Sequence, residues 1–249
     1  MSRLFPTALA ALGALIVLVG CGLGPGPGTG EVSLTVTRDF GGHHLASLSE
    51  AKVPGSETVM RMLERHFHVS TRYGGGFVES IAGHTGNADR TDWFYYVNGV
   101  QARQGAATTA VHHDDRIWFD LHDWQATESI PAVVGSYPAP FTTGLGGKRL
   151  PTTVACAPDV GTACKRVTAS LRAVGVPAAS QLLGTGSGSN TLGVVVGTWR
   201  ELHPEVAATY IEHGPGASGV YARFGARGYA LQLLNPAGRA VRTLGAGAG

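Results

Sequence analysis

Trp93-Phe94-Tyr95-Tyr96-Val97-Asn98-Gly99 is the most strongly β-prone run in this sequence: five aromatic or β-branched residues stopped by an Asn-Gly turn. Strand alternation sets Trp93, Tyr95 and Val97 on one face and Phe94, Tyr96 and Asn98 on the other. Working outward, 116–121 is the next strand downstream, while 77–81 lies upstream between Gly74-Gly75-Gly76 and Gly83. Residues 69–73 read as a short strand and 84–92 as a polar loop. At 32–36, Val32, Leu34 and Val36 alternate with polar residues, the pattern of a half-buried strand. Pro54-Gly55-Ser56 breaks the chain and offers Ser56 as an N-cap. Val59, Met62, Leu63, His66 and Phe67 follow at helical spacing, which predicts one amphipathic helix over 57–67. The expectation for 31–124 is a single helix packed on a small mixed sheet, about ninety residues, enough for a small core.

Four segments carry a resemblance to a known family: 76–83, the 93–99 run, Gln104-Gly105, and Asp114-Asp115-Arg116-Ile117-Trp118. Together they resemble the C-terminal domain of transcobalamin and intrinsic factor, a domain also found in bacterial secreted and lipid-anchored proteins. His113-Asp114-Asp115 stands where that family typically has a Gly-Asp or Asn-Gly pair. The resemblance implies a β-grasp-like fold. In the vertebrate carriers this domain covers one face of cobalamin, and a separate helical barrel supplies the other face. It therefore implies a ligand such as a corrinoid or another flat molecule. Trp93, Tyr95, Tyr96, Asn98 and Trp118 are the candidate contacts, with the loops 84–92 and 105–115 beside them.

Residues 125–149 are spotted with Pro and Gly and read as an extended connector, although Ile130, Val133, Val134, Tyr137 and Phe141 could bury against either neighbour. A second unit spans 150–245. Strands are expected at 152–155 and 192–196, the latter buried, and helices at 164–174 and 204–213. Strands at 220–224, 229–234 and 240–244 complete it, the last two joined by an Asn235–Gly238 turn. The fold class is α+β: a β-grasp-like mixed sheet with one helix, followed by a small α+β sandwich.

Residues 1–20 begin with Arg3 and continue in an apolar stretch too short for a membrane span, which suits a signal-peptide core. The stretch ends Leu18-Val19-Gly20-Cys21, similar to the lipobox of bacterial lipoproteins. That resemblance implies lipidation of Cys21 and placement on the extracytoplasmic side of the cell membrane. Residues 21–30, rich in Gly and Pro, would be a tether. Outside the cytoplasm Cys156 and Cys164, eight apart, are expected to form a disulfide.

The chain has 249 residues, 14% of them charged, and a net charge of +2, which argues against a nucleic-acid protein carried by bulk positive charge. Catalytic signatures are poor. Gly184 to Asn190 is Gly-Ser-rich but precedes a strand and lacks a following Lys-Ser/Thr, unlike a phosphate loop. A Gly-x-Ser-x-Gly elbow in a strand-to-helix context is missing. A non-catalytic, cofactor-free ligand-capture protein is expected, membrane-held and serving an uptake transporter. The alternative is an envelope module that binds protein or glycan. A weaker alternative is metal capture: eight of the ten histidines lie between 43 and 122, and His112, His113 and Asp115 are the nearest to a ligand set.

Overall fold

The computed structural model describes residues 31–87, 89–125, 130, 133–188, 190–202, 212–225 and 230–245. Cys21, the signal and tether segments, most of the 204–213 helix and the start of the 229–234 strand lie outside them.

The first part is a mixed five-stranded sheet of order β2-β1-β8-β6-β7, with one helix on its inner face. Its strands are β1 (Val32–Arg38), β2 (His43–Glu50), β6 (Thr91–Val97), β7 (Val100–Gln101) and β8 (Arg116–Asp123). A hairpin of β3 (Val69–Arg72), β4 (Phe77–Ile81) and β5 (His84–Thr85) forms a separate small sheet. β1 pairs antiparallel with β2 and parallel with β8, and β8 pairs antiparallel with β6. A parallel pair requires a crossover, and the helix α1 (Val59–His66) lies within that connection. The α+β, β-grasp-like expectation therefore stands.

Burial follows the alternation. Val32, Leu34 and Val36 of β1, Trp93 of β6, and Ile117 and Phe119 of β8 meet Val59, Met60, Met62 and Leu63 of α1 in one core. α1 starts two residues later than expected, and its N-cap is Thr58, not Ser56. The reason is backbone pairing. Val111 N donates to Glu57 O and Val59 N to Thr109 O, at 3.0 and 2.9 Å, so residues 57–58 stay extended.

β2 was not expected from sequence. It opens on the exposed His43 and His44, and Leu45, Ala46 and Leu48 pack against the core from this edge strand. Glu50, the last residue of β2, meets α1 through Arg65, at 2.7 Å, and through His66; Arg65 also bonds the buried Glu57. Burial alone raises the Glu50 carboxyl pKa, but the hydrogen bonds from Arg65 and His66 outweigh it and hold the group below the usual glutamate range. A depressed carboxyl contributes stability that is present above its unfolded value and lost as pH falls through its folded value. The melting temperature is therefore expected to fall on acidification below the ordinary glutamate range. Glu50→Gln should flatten that part of the profile; an unchanged profile would contradict the assignment.

Beyond β8 the chain folds back on the sheet's end. Ile130 is buried and its amide donates to Gln101 Oε1 at 2.7 Å. Ser136 lies against Gly99, whose φ of +80 and missing side chain both suit the approach. Phe141, in the short helix α2 (Ala139–Thr142), instead joins the second core. The connector is thus fastened to both parts.

The second core lies between α3 (Gly161–Ala173) and a parallel sheet of order β10-β9-β11. The strands are β9 (Thr152–Cys156), β10 (Ala178–Leu182) and β11 (Leu192–Val196). Leu171, Val154 and Val176 are buried there, and the Cys156–Cys164 disulfide joins the end of β9 to the start of α3. Closing so small a loop contributes roughly 2.5 kcal/mol in the chain-entropy model. β10 was not expected. β11 is an edge strand, and Val195 is 43% exposed, which corrects the expectation of a buried strand; β9 holds the centre instead. A separate antiparallel meander follows: β12 (Ala222–Phe224), β13 (Leu231–Leu234) and β14 (Ala240–Leu244).

Candidate functional site

The inner-face residues of β6 reach a cleft as well as the core. The cleft has a volume of about 510 Å³ and lies between the start of β4 and the 101–108 segment. Phe77, Val78, Trp93, Tyr95 and Phe119 line it.

Backbone hydrogen bonds hold its walls. Ala102 N donates to Tyr95 O and Met60 N to Ala106 O, each at 3.0 Å. The Gly105 carbonyl accepts from the amides of Thr108 and Thr109. The Tyr95 hydroxyl donates to Gln104 O at 2.5 Å and lies 2.7 Å from Thr109 Oγ1. Burial raises its pKa, an effect that the Thr109 contact only partly offsets, so Tyr95 is a neutral phenol at physiological pH. Trp93 Nε1 donates to the His84 carbonyl at 3.2 Å, tying the β3–β5 hairpin to the main sheet. At one end the walls nearly touch, since a side chain on Gly105 would meet Gly76 O at 3.2 Å.

Phe77 lines the cleft, and the ring of Tyr73 packs against it. Phe77 is 61% exposed and Tyr73 83% exposed, with ring centres 5.7 Å apart and edge to face. Neither is core. Neither is among the expected contacts, because a strand such as 77–81 gives no local sign that its first ring stays exposed. The available signal was the spacing Tyr73-Gly-Gly-Gly-Phe77, which places two large rings on either side of a turn.

The five expected contacts do not come together. Trp93 and Tyr95 line the cleft, whereas Tyr96, Asn98 and Trp118 lie on the opposite face or the turn. Tyr96 is buried and stacks on Trp118 at 4.7 Å. Asn98 is fully buried. Its Nδ2 donates to Asp115 Oδ1 and Gly144 O at 2.8 and 2.9 Å, and its Oδ1 accepts from Arg116 N at 2.9 Å. Each of its polar groups is used to hold the turn. Trp118 Nε1 donates to Thr37 Oγ1 at 2.6 Å. Of the expected loops, 105–108 borders the cleft, but 84–92 contributes only Asp92.

That opposite face carries its own polar centre. Asp120 is fully buried, and its carboxylate accepts from Phe40 N at 2.9 Å, Gly41 N at 3.0 Å, His122 Nδ1 at 2.8 Å and the Thr37 hydroxyl. The His122 ring is stacked between Phe40 and Phe94, at 4.3 and 4.4 Å. Tyr221, from the far end of the chain, packs on Phe40.

His112, His113 and Asp115 form no convergent set. His112 Nδ1 is 3.6 Å from Asp115, while His113 pairs at 3.0 Å with Asp114. Likewise His43 pairs with Asp39, His66 with Glu50 and His122 with Asp120. These imidazoles thus have separate nearby carboxylates, which disperses them. Among the described residues no three His, Cys, Asp or Glu side chains gather where they could hold a metal ion. Burial raises the Asp115 carboxyl pKa against the hydrogen bonds it accepts from the His112 amide and from Asn98.

Residues 56–123 match the profile of a family described as a domain of unknown function, DUF4430. That stretch runs from just before α1 to the end of β8 and contains the cleft. A search of curated proteins finds no match. Among solved structures, 38% of the chain aligns with 97% of a candidate metal binding protein from Ruminococcus gnavus ATCC 29149, at 16% identity and a TM-score of 0.32. The same share aligns with 25% of haptocorrin in complex with Cbi, at 18% identity and a TM-score of 0.31.

Proposed function

We propose that this chain is a non-catalytic, lipid-anchored extracytoplasmic protein that captures a flat, partly apolar small molecule in the β4–β6 cleft for uptake. The observation that carries this reading is the pair Tyr73 and Phe77. Phe77 lines an aromatic cleft and is left in water with Tyr73 packed edge to face on it, so the two rings contribute little to the core but offer stacking faces to a ligand. Among the described residues lining the cleft, Asp92 and Arg103 are the only Asp, Glu, Lys or Arg, which favours binding over acid–base chemistry. The resemblance of 75–121 to the cobalamin carriers makes corrinoids the first ligands to try.

The test is a thermal-shift titration of the chain with cobalamin, cobinamide, haem and Zn²⁺. A bound ligand at a hundred times its dissociation constant adds about 2.7 kcal/mol of apparent stability. Phe77→Ala should leave the unliganded melting temperature nearly unchanged and weaken binding about tenfold, the scale of one lost aromatic stack. A shift that survives Phe77→Ala would place the ligand elsewhere. A Zn²⁺-only shift would move the site to the histidines. No shift with any of the four, together with retention by an envelope protein or glycan that needs Tyr73 and Phe77, would favour the interaction-module reading.

Anchoring is tested separately. Fatty-acid labelling of cells expressing the chain should mark it and fractionate it with membranes. Cys21→Ser should abolish the label, and label persisting in that variant would refute the assignment.

A further inference from the structure

We propose that the outer face of α3, with the groove beside it, docks on a membrane surface through anionic lipid headgroups. This inference is independent of what the β4–β6 cleft binds. It starts from how charge is divided along the chain. Residues 31–125 carry twelve Asp and Glu against eight Lys and Arg, whereas 148–249 carry ten Lys and Arg against four Asp and Glu. Such an asymmetry between halves points to an anionic partner for the basic half.

In the first part four of the eight cations are committed to ion pairs. Arg38 pairs with Asp39, Arg65 with Glu50 and Glu57, Arg72 with Glu79, and Arg90 with Asp123. α3 differs. It carries Lys165, Arg166 and Arg172, all exposed, and no acidic residue over its thirteen positions. Among the described residues none of the three forms an ion pair or a side-chain hydrogen bond.

Geometry adds an apolar element to this charge. Lys165 and Arg172 are seven apart, so they share one flank of the helix with about 10 Å of rise between them. Between that flank and the edge strand β10 runs a groove of about 490 Å³, bordered by both cations and lined also by the exposed Pro158, Ala169 and Leu182. Leu182 is 67% exposed. A cationic rim over an apolar slot matches an amphiphile: phosphate oxygens meet Lys165 and Arg172, and the apolar part below the headgroup meets Leu182. Free phosphate or an acidic peptide would use the rim and have no need of Leu182. Each cation near an anionic bilayer strengthens attachment about fivefold, and screening by salt weakens it.

The test is amide hydrogen exchange of the full chain mixed with vesicles of phosphatidylcholine alone or doped with phosphatidylglycerol. An apolar N-terminal segment would attach to both vesicle types, so the comparison isolates the α3 surface. Residues 161–182 should become protected only with phosphatidylglycerol, and high salt should remove the protection. Lys165→Glu with Arg172→Glu should weaken it at least 25-fold, and Leu182→Ser several-fold, with unchanged melting temperatures because all three side chains are exposed. Equal protection with both vesicle types, no protection with either, or protection that survives the double charge reversal would overturn the proposal. Protection indifferent to Leu182→Ser, and reproduced by poly-glutamate, would replace the lipid with an acidic partner.

Discussion

Asp120→Ala is expected to lower stability by about 3–5 kcal/mol, the scale of leaving several hydrogen-bonding groups without their acceptor at about 1–3 kcal/mol each. The carboxylate has no exposure and satisfies four donors: two backbone amides, the Thr37 hydroxyl and the His122 ring. Alanine removes this acceptor from all four; the Thr37 and His122 side chains are buried, while the Phe40 and Gly41 amides lie part-buried at the turn. His122 is hit hardest, because its Nε2 is already buried without a partner. Denaturant unfolding measures the loss, and amide exchange at Phe40 and Gly41 localises it. Asp120→Asn keeps the shape and should recover part of it. A loss below about 1 kcal/mol would mean that the site relaxes or hydrates, and that the β1–β2 turn does not depend on this carboxylate.

Phe119→Ala is expected to cost about 3–5 kcal/mol for a different reason. Phe119 is almost fully buried, sits among the α1 and β1 core residues, and stacks on Tyr95 at 5.2 Å. It is also part of the cleft wall. Removing the ring leaves a cavity beneath the proposed site, so ligand affinity should fall with stability. Phe119→Leu should restore most of the stability. Affinity that stays low in Phe119→Leu, with the fold recovered, would show that the ring shapes the cleft as well as filling the core. Wild-type affinity in Phe119→Ala would place the ligand outside it.

These two residues mark what could be read from sequence. The inner face was legible because its signals are local: Val32, Leu34 and Val36 alternate, Val59, Met62 and Leu63 recur at helical spacing, and Trp93 to Asn98 runs straight into its turn. β2 was not legible, because an edge strand with one covered face can begin His-His and carry Ser at every outward position. Tyr96 and Trp118 lie on the face away from the cleft, as the alternation of β6 and its register with β8 dictate. What no local pattern shows is that Phe40 covers His122 on that face and is itself packed by Tyr221, which arrives about a hundred residues after β8. Phe77 is the opposite case. A hydrophobic residue in a strand pattern reads as core, and only the surrounding structure shows that it is exposed. The histidines look like a cluster along the sequence, but in space five of them sit beside five different carboxylates.

The parallel pairing of β1 with β8 has a mechanical consequence. The two strands share six register pairs, Ser33 with Arg116 through Arg38 with Leu121. The entry of β1 and the exit of β8 therefore lie at opposite ends of the same ladder. A pull on the chain before residue 31, resisted by whatever follows residue 123, would load the rungs in shear. The rungs would have to yield together, whereas an antiparallel hairpin pulled from its open end unzips one pair at a time. A domain built this way, if held by its N-terminal side, would resist tension along the direction in which a tether delivers it.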